Sequence, residues 1–245
     1  MYHRFDENKY PSTNIRIEFF LKHVQLINSL NYEFIHPNEF KKKFDTPKKQ
    51  KKILLTIDDG FQSFYKVAWP FLKKNEIPFI LFISTEPVGN KGYMNWDQIK
   101  EIEKESFAVI GHHSHTHEYL IEKSNEEFIN DIETANSIFK NKLGYVPDLF
   151  SYPFGEYSEF MRNYVSNNFT FAFGQHSGVI DLNKEKFQLP RFPINENYGE
   201  LKRFKSIINS FPLEDDQLFP KEKKLTKNTN PRDFKVKFFQ NQKKI

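Results

Sequence analysis

The sequence contains no cysteine, and this absence excludes both a disulfide framework and a thiolate metal site. It does not decide the redox compartment, because a chain without cysteine is compatible with either. Long apolar runs are also missing. The run at residues 78–83 (PFILFI) is much shorter than the roughly 18 residues that a membrane-spanning helix needs. We therefore expect no membrane span.

Features of an exported or nucleic-acid-binding chain are absent as well. The first residues, MYHRFDENKYP, carry charges where a secretory signal has an apolar region. As it stands, the sequence predicts a cytoplasmic protein, or an extracytoplasmic one if the true start lies upstream. The formal net charge is +4, with acidic residues interspersed among the lysines. Nucleic-acid binding needs basic residues gathered on one face, so we expect no nucleic-acid partner. The oligomeric state stays open.

Short apolar runs alternate with helical periodicities along the chain, which predicts repeated βα units and a parallel α/β sheet or barrel. Strands are predicted at residues 52–57, 78–84, 107–110, 149–152, 169–173 and 189–194, and helices at 15–30, 63–74, 96–104 and 124–143. Pro70 should bend the second helix, and His23 should lie on the surface of the first. We expect one catalytic domain over residues 1–212, followed by a polar, Lys-rich tail at 213–245.

Residues 113–117 (HSHTH) directly follow a predicted strand. His residues four apart can converge on one ion, although a His-rich loop can also be merely solvated. Asp58 and Asp59 follow another predicted strand. Adjacent residues on an extended chain point in opposite directions, so one carboxylate can bind the ion while the other lies near a water molecule. Asp-Asp-Gly is also a common turn sequence. Together the two motifs indicate a site for one divalent metal.

Residues 56–60 (TIDDG) and 113–117 resemble the first two motifs of the polysaccharide deacetylases, carbohydrate esterase family 4. This resemblance implies a distorted (β/α)7-type barrel. It also implies that Asp59, His113 and His117 bind the metal and that Asp58 is the general base. Zinc is the first expectation for such nitrogen and oxygen ligands, while iron, cobalt and nickel are also compatible with them.

Residues 151–155 (SYPFG) are similar to the third family motif, but Ser151 stands where that motif has arginine. The resemblance implies that the backbone N–H of Phe154 faces the oxyanion. Asp58 then lacks its usual orienting partner. We predict that Arg191 supplies a guanidinium from another strand; the alternative is an ordinary structural or surface ion pair.

The closing family motif, a strand that ends in Leu-x-His, is missing from the carboxyl half. Residues 1–4 (MYHR) resemble instead the first motif of a permuted branch that includes the poly-β-1,6-N-acetylglucosamine deacetylases. By that resemblance His3, as imidazolium, is the general acid; a loose terminal histidine is the alternative. Tyr93, Trp96 and Tyr152 are candidates for stacking on sugar rings, although such aromatics also build cores.

The resemblance implies a hydrolase that removes N-acetyl groups from a glycan containing N-acetylglucosamine. A related hydrolase of O-acetyl esters or other amides would have the same metal site. A catalytically weak carbohydrate-binding relative is the third hypothesis, which Ser151 favours. The second carboxylate, Asp58, argues against it, because simple binding does not require one there.

Overall fold

The structure is a computed structural model that describes residues 1–43, 51–181 and 185–209. The predicted tail at 213–245 lies outside the described residues. The strands are β1 (Arg4–Phe5), β2 (Asn14–Ile15), β3 (Glu33–Phe34), β4 (Lys52–Ile53), β5 (Thr56–Ile57), β6 (Phe79–Ile83), β7 (Ala108–His112), β8 (Leu149–Ser151) and β9 (Phe171–Phe173). The helices are α1 (Ile17–Ser29), α2 (Pro37–Lys43), α3 (Trp69–Lys74), α4 (Trp96–Glu103), α5 (Asn125–Leu143), α6 (Glu159–Asn168) and α7 (Leu201–Asn209).

The central sheet has five parallel strands in the order β5-β6-β7-β8-β9. Every residue of β6 is buried, as expected for a parallel strand that is covered on both faces and reads as a continuous apolar run. The carboxyl ends of these strands lie at one edge of the sheet and carry the candidate site residues. The predicted α/β class is confirmed.

Segments from the two ends of the described chain close this sheet into a distorted barrel. Tyr2 forms a parallel bridge with Ile57 at one edge, and Leu189 forms one with Phe173 at the other. The two added segments also bond to each other, because the Met1 nitrogen donates to the Phe192 carbonyl and the Ile194 N–H donates to the Met1 carbonyl, both at 3.0 Å. Residues 189–194 are therefore an irregular segment of the barrel wall, not the regular strand we predicted.

Helix α5 begins and ends where the sequence predicts. Ser124 and Glu127 form a capping box, and Gly144 ends the helix in the left-handed conformation at φ 86°. The helix predicted at 63–74 is instead a π-helical turn, Phe64–Ala68, followed by α3. Pro70 lies in the first turn of α3, where its missing N–H costs no hydrogen bond, so the irregularity precedes the proline.

Helices α6 and α7 were not predicted, and α7 explains why His23 is not on the surface. His23 is fully buried. Its ring stacks on Phe204 of α7 with centroids 3.9 Å apart. Its nitrogens lie 3.0 Å from the Tyr2 hydroxyl and 2.7 Å from the Gly199 carbonyl. The periodicity of α1 alone could not reveal this second covering helix.

Among the described residues, no helix combines the length and the apolar character that crossing a membrane requires.

Candidate active site

The two adjacent aspartates leave β5 in different directions. Asp58 is fully buried. Asp59 has a positive φ of 74°, and Gly60 follows at 70°. A Cβ at Gly60 would lie 2.7 Å from the Ile83 side chain, so glycine is required at this turn for space as well as for conformation. The turn keeps Asp58 inside the barrel and brings Asp59 to the cleft.

The two outer histidines of the 113–117 motif approach Asp59 from the end of β7. His113 Nε2 and His117 Nε2 lie 3.3 Å and 3.1 Å from Asp59 Oδ1. The other ring nitrogen of His113, Nδ1, lies 2.6 Å from the Ser151 carbonyl. A carbonyl only accepts hydrogen bonds, so Nδ1 carries the proton and Nε2 presents a lone pair.

These three side chains fit a metal ion. One ligand atom from each lies within 4.8 Å of the others. Asp59 Oδ1 and His113 Nε2 are both buried and have no well-formed hydrogen bond in the described part of the chain. Two buried acceptors that face each other at 3.3 Å repel unless a cation lies between them. The orienting bond from His113 Nδ1 to a backbone carbonyl is also typical of histidine ligands.

Asp131 of α5 holds the histidine loop, and the sequence analysis missed it. Its Oδ1 accepts from the His115 N–H at 2.7 Å, while its Oδ2 accepts from the Thr116 N–H at 3.0 Å and hydroxyl at 2.7 Å. The loop needs this support because Ser114 and His117 both have positive φ, 69° and 58°. The signal was an acidic residue beside Phe128 and Ile132 on the apolar face of an otherwise ordinary amphipathic helix.

Arg191 lies against Asp58, as predicted. Its Nη1 and Nη2 donate to Asp58 Oδ1 and Oδ2, both at 2.8 Å. The guanidinium also donates to the Ser151 hydroxyl at 2.8 Å, the Thr56 hydroxyl at 3.2 Å and the Gly174 carbonyl at 2.8 Å. Ser151 in turn donates to Asp58 Oδ2 at 3.2 Å. Ser151 is therefore part of the same buried network, in which the guanidinium comes from the last barrel segment.

This network keeps Asp58 ionised. Burial by itself raises the pKa of a carboxyl, but the charge and the hydrogen bonds of Arg191 outweigh it, so the pKa of Asp58 lies below its ordinary value. A buried carboxylate in this state can accept a proton only from a group placed directly beside it.

His3 is buried at the end of the first barrel segment, close enough to Asp59 and Asp58 for both charges to act on it. Burial lowers the pKa of His3 below its ordinary value, against the opposing effect of the two carboxylates. A lowered pKa makes the imidazolium of His3 a stronger acid than a free histidine. His3 is an ordered part of the barrel wall, so the alternative of a loose terminal residue does not hold.

A cleft of about 310 Å³ opens over Asp59 and His117. Phe154 lines it, with a positive φ of 57°. The Phe154 ring lies 4.9 Å from the His117 ring and stacks on Tyr119 at 4.1 Å. Phe154 therefore lies beside the candidate metal ligand His117.

Of the three aromatics proposed for sugar stacking, only Tyr93 lines the cleft. Tyr152 is fully buried, and its hydroxyl donates to the Phe187 carbonyl at 3.1 Å. Trp96 is partly buried and packs edge-to-face on Phe139 of the core at 6.0 Å. The Tyr152 ring is therefore closed to a sugar ring, while the partly buried Trp96 packs against the core and does not line this cleft. The cleft wall contains instead Arg4 and Tyr10, which the sequence analysis did not single out.

Comparisons with known proteins agree with this fold. A family model described as polysaccharide deacetylase matches residues 45–170, just over half of the 245 residues. A Bacillus subtilis protein named for the polysaccharide deacetylases, YxkH, is 26% identical over 161 residues, which are 65% of this chain and 57% of that protein. The chain thus spans little more than half of that relative. The poly-beta-1,6-N-acetyl-D-glucosamine N-deacetylase of Staphylococcus aureus is 23% identical over 74% of this chain and 68% of its own length.

Two solved structures share the fold. The Streptococcus pyogenes deacetylase PplD has a TM-score of 0.75 at 20% identity, covering 85% of this chain and 96% of its own. IcaB from Ammonifex degensii has a TM-score of 0.75 at 22% identity, covering 84% and 94%. At these identities the likeness concerns the fold alone. By the match to the family model, the chain belongs to the polysaccharide deacetylase family.

Proposed function

We propose that the protein is a metal-dependent hydrolase that removes N-acetyl groups from a poly- or oligosaccharide containing N-acetylglucosamine. One observation carries this proposal. The triad Asp59, His113 and His117 converges beside a second carboxylate, Asp58, which takes no place in the triad and is held ionised by Arg191. Membership of the family and the likeness to the S. aureus N-deacetylase support the substrate class.

Asp59, His113 and His117 would hold one divalent ion, with zinc the best match to two nitrogens and one oxygen, and iron, cobalt or nickel also compatible. When bound, such an ion supplies Lewis-acid chemistry, which polarises the acetamide carbonyl and makes water more acidic.

Asp58 is the proposed general base. Arg191 fixes both of its oxygens, so the carboxylate cannot rotate away, and its depressed pKa leaves it unprotonated at neutral pH. It takes a proton from the attacking water molecule as the new carbon–oxygen bond forms. The division between one metal-binding and one proton-accepting aspartate follows from the turn that separates Asp58 from Asp59.

Phe154 and His3 serve the other two atoms of the reacting amide. The backbone N–H of Phe154 donates to the carbonyl oxygen as negative charge develops there. His3 in its protonated form, which its lowered pKa makes a stronger acid, protonates the departing amine nitrogen when the carbon–nitrogen bond breaks, which yields acetate and a glucosamine unit. The proton that Asp58 removes from water balances the one that His3 gives up.

Acetate release by metal-loaded protein tests this proposal. The substrates are N-acetylglucosamine oligomers of β-1,4 and β-1,6 linkage and an O-acetylated glycan. We expect acetate from at least one of the N-acetylated oligomers, and its loss in Asp58→Asn. Asp97→Asn, an exposed aspartate on α4, is the matched control and should behave as the wild type.

The same experiment separates the other hypotheses. Release from the O-acetylated glycan alone identifies an esterase on the same scaffold. Binding of oligomers without release, by protein that contains one equivalent of metal, identifies a carbohydrate-binding relative. Either result would contradict the proposed N-deacetylase.

A further inference from the structure

The loop between β1 and β2 presents an exposed aromatic ring beside the candidate active site. Tyr10 is 55% exposed, although it lies on the wall of the cleft that contains Asp59 and His117. Its φ is 64°, a conformation that costs a non-glycine residue about 1–2 kcal/mol. An exposed aromatic ring in a costly conformation is not explained by packing.

This loop is held in place by hydrogen bonds and does not need a ligand to order it. The Tyr10 carbonyl accepts from the N–H groups of Thr13 and Asn14, both at 2.9 Å. The buried Asn14 accepts from the Glu7 N–H at 2.9 Å and donates to Glu196 at 2.7 Å. Asn195 donates to the Ser12 carbonyl at 2.7 Å. The Tyr10 ring is therefore presented on a preorganised loop, which lowers the entropic cost of binding.

One face of the Tyr10 ring is covered and the ring remains half open to solvent. The Arg4 guanidinium lies 4.6 Å from the centre of the Tyr10 ring and 3.4 Å from that of Phe61, so it is sandwiched between them. Arg4 also donates to Glu7 at 2.8 Å, which neutralises its charge. The Phe61 ring is followed by Tyr93 at 4.9 Å. The result is a row of flat groups along one wall of the cleft.

The chemistry of this wall fits a neutral sugar ring. The C–H groups on one face of a pyranose are apolar and slightly positive. They therefore pack on the negative face of an aromatic ring. Around them, the hydroxyls of Ser12, Thr13 and Tyr93 line the same cleft and can exchange hydrogen bonds with sugar hydroxyls. A mostly apolar concave wall with a few placed polar groups is the usual form of a small-ligand site.

We infer that Tyr10, resting on Arg4, binds a second sugar unit of the glycan, next to the unit whose acetyl group lies at Asp59 and His117. This inference rests on the proposed function and deepens it, because it makes the enzyme specific for an oligomer rather than a single sugar. The Tyr10 ring makes the proposed contact, so its aromatic face and not its hydroxyl should determine the affinity for the second sugar unit.

The test is binding of N-acetylglucosamine oligomers from one to four units, of β-1,4 and β-1,6 linkage, to metal-loaded protein that carries Asp58→Asn. Binding without turnover is measured by calorimetry. We expect affinity to rise from the monomer to the dimer, and Tyr10→Ala to remove that rise, weakening the dimer about tenfold. Tyr10→Phe should keep it. Tyr145→Ala removes another partly exposed tyrosine, which does not line this cleft, and is the matched control.

The inference is overturned if Tyr10→Ala binds the dimer as tightly as its parent, or if no oligomer binds better than the monomer. Its failure is distinct from that of the proposed function. Acetate release that is insensitive to Tyr10→Ala removes the subsite and keeps the deacetylase. Length-dependent binding that needs Tyr10, without acetate release by the chain with its native Asp58, keeps the subsite and removes the deacetylase.

Discussion

Arg191 binds both carboxylate oxygens of Asp58 through two hydrogen bonds of 2.8 Å, although 133 positions separate the two residues in the sequence. The paired geometry matches the planar fork of a guanidinium, which a lysine cannot reproduce. The pair is buried beside the candidate metal triad, so its charge balance acts directly on the proposed base.

Arg191→Lys should reduce kcat for acetate release by about 10²-fold or more, the scale of a lost general-base contribution. Arg191 lowers the pKa of Asp58 by its charge and by its hydrogen bonds; lysine keeps the charge but not the paired bonds, so the substitution should raise that pKa. The base then stays protonated to a higher pH, and the acidic limb of the kcat/KM profile should move upward. The control is Arg162→Lys, which changes a partly exposed ion pair with Glu185. An unchanged acidic limb in Arg191→Lys would contradict this account.

A swap within the network gives a stricter test. Ser151→Arg combined with Arg191→Ala moves the guanidinium to the position where the third family motif has arginine. The Ser151 hydroxyl already contacts the guanidinium at 2.8 Å, so the new side chain enters the space that Arg191 leaves. We expect the double variant to be more active than Arg191→Ala alone. If the double variant is no more active than Arg191→Ala, the guanidinium must come from position 191.

Asp131→Asn should weaken metal binding by roughly 10–100-fold, the usual range for residues that support ligands. Asparagine keeps one acceptor oxygen but replaces the other, which accepts from the Thr116 N–H and hydroxyl, with an amide donor. Competition with a chromogenic chelator measures the affinity without reference to activity. Glu126→Gln, which changes an exposed acid on the same helix, should bind metal as the wild type does. An equal loss of metal affinity in this variant would show that the charge of the helix, and not the contacts of Asp131, is responsible.

His3→Gln should lower kcat for acetate release by about 10²-fold while metal affinity stays unchanged, because His3 is proposed to act on the leaving amine and not on the ion. Acetate release and metal competition on the same preparations separate the two roles. A parallel loss of metal affinity would show that His3 supports the metal site instead.

Acid should destabilise the folded chain through His23. Burial lowers the pKa of His23 to about 4 from its ordinary 6.5. The unfolded chain therefore binds more protons between these values, so stability is complete above pH 6.5 and is lost as pH falls toward 4, by roughly 3 kcal/mol at most. Denaturant unfolding of the wild type and His23→Gln across this range measures the effect. The variant should be less stable at neutral pH and show a shallower decline. An equally steep decline in both would assign the acid sensitivity to other groups.

Sequence patterns predicted correctly those features that depend on residues close together in the chain. The capping box and Gly144 fix the ends of α5, and the family resemblance implied Asp59, His113 and His117 as candidate ligands, whose side chains do converge. The position of Arg191 was predicted because the missing arginine of the third motif required a substitute.

Long-range packing produced the errors. No residue near His23 in the sequence indicates that α7 covers it, and no residue near Tyr152 indicates that its ring is fully buried. Tyr10 was overlooked for the opposite reason, since a single tyrosine in a polar loop has no periodicity to mark it. Its role depends on Arg4 and Phe61, which only the folded chain brings beneath it.

The hydrogen bonds between Met1 and residues 192–194 join the two segments that carry His3 and Arg191. His3 and Arg191 belong to the two neighbouring segments that close the ring, and these segments come from opposite ends of the described chain. Contacts of such high sequence separation form late, because the loss of chain entropy precedes the gain in contact energy. A chain still being synthesised would contain the complete metal triad and yet lack the partner of its base. The candidate ligands thus lie within residues 59–117, whereas the network around the proposed base also needs the chain as far as residue 191.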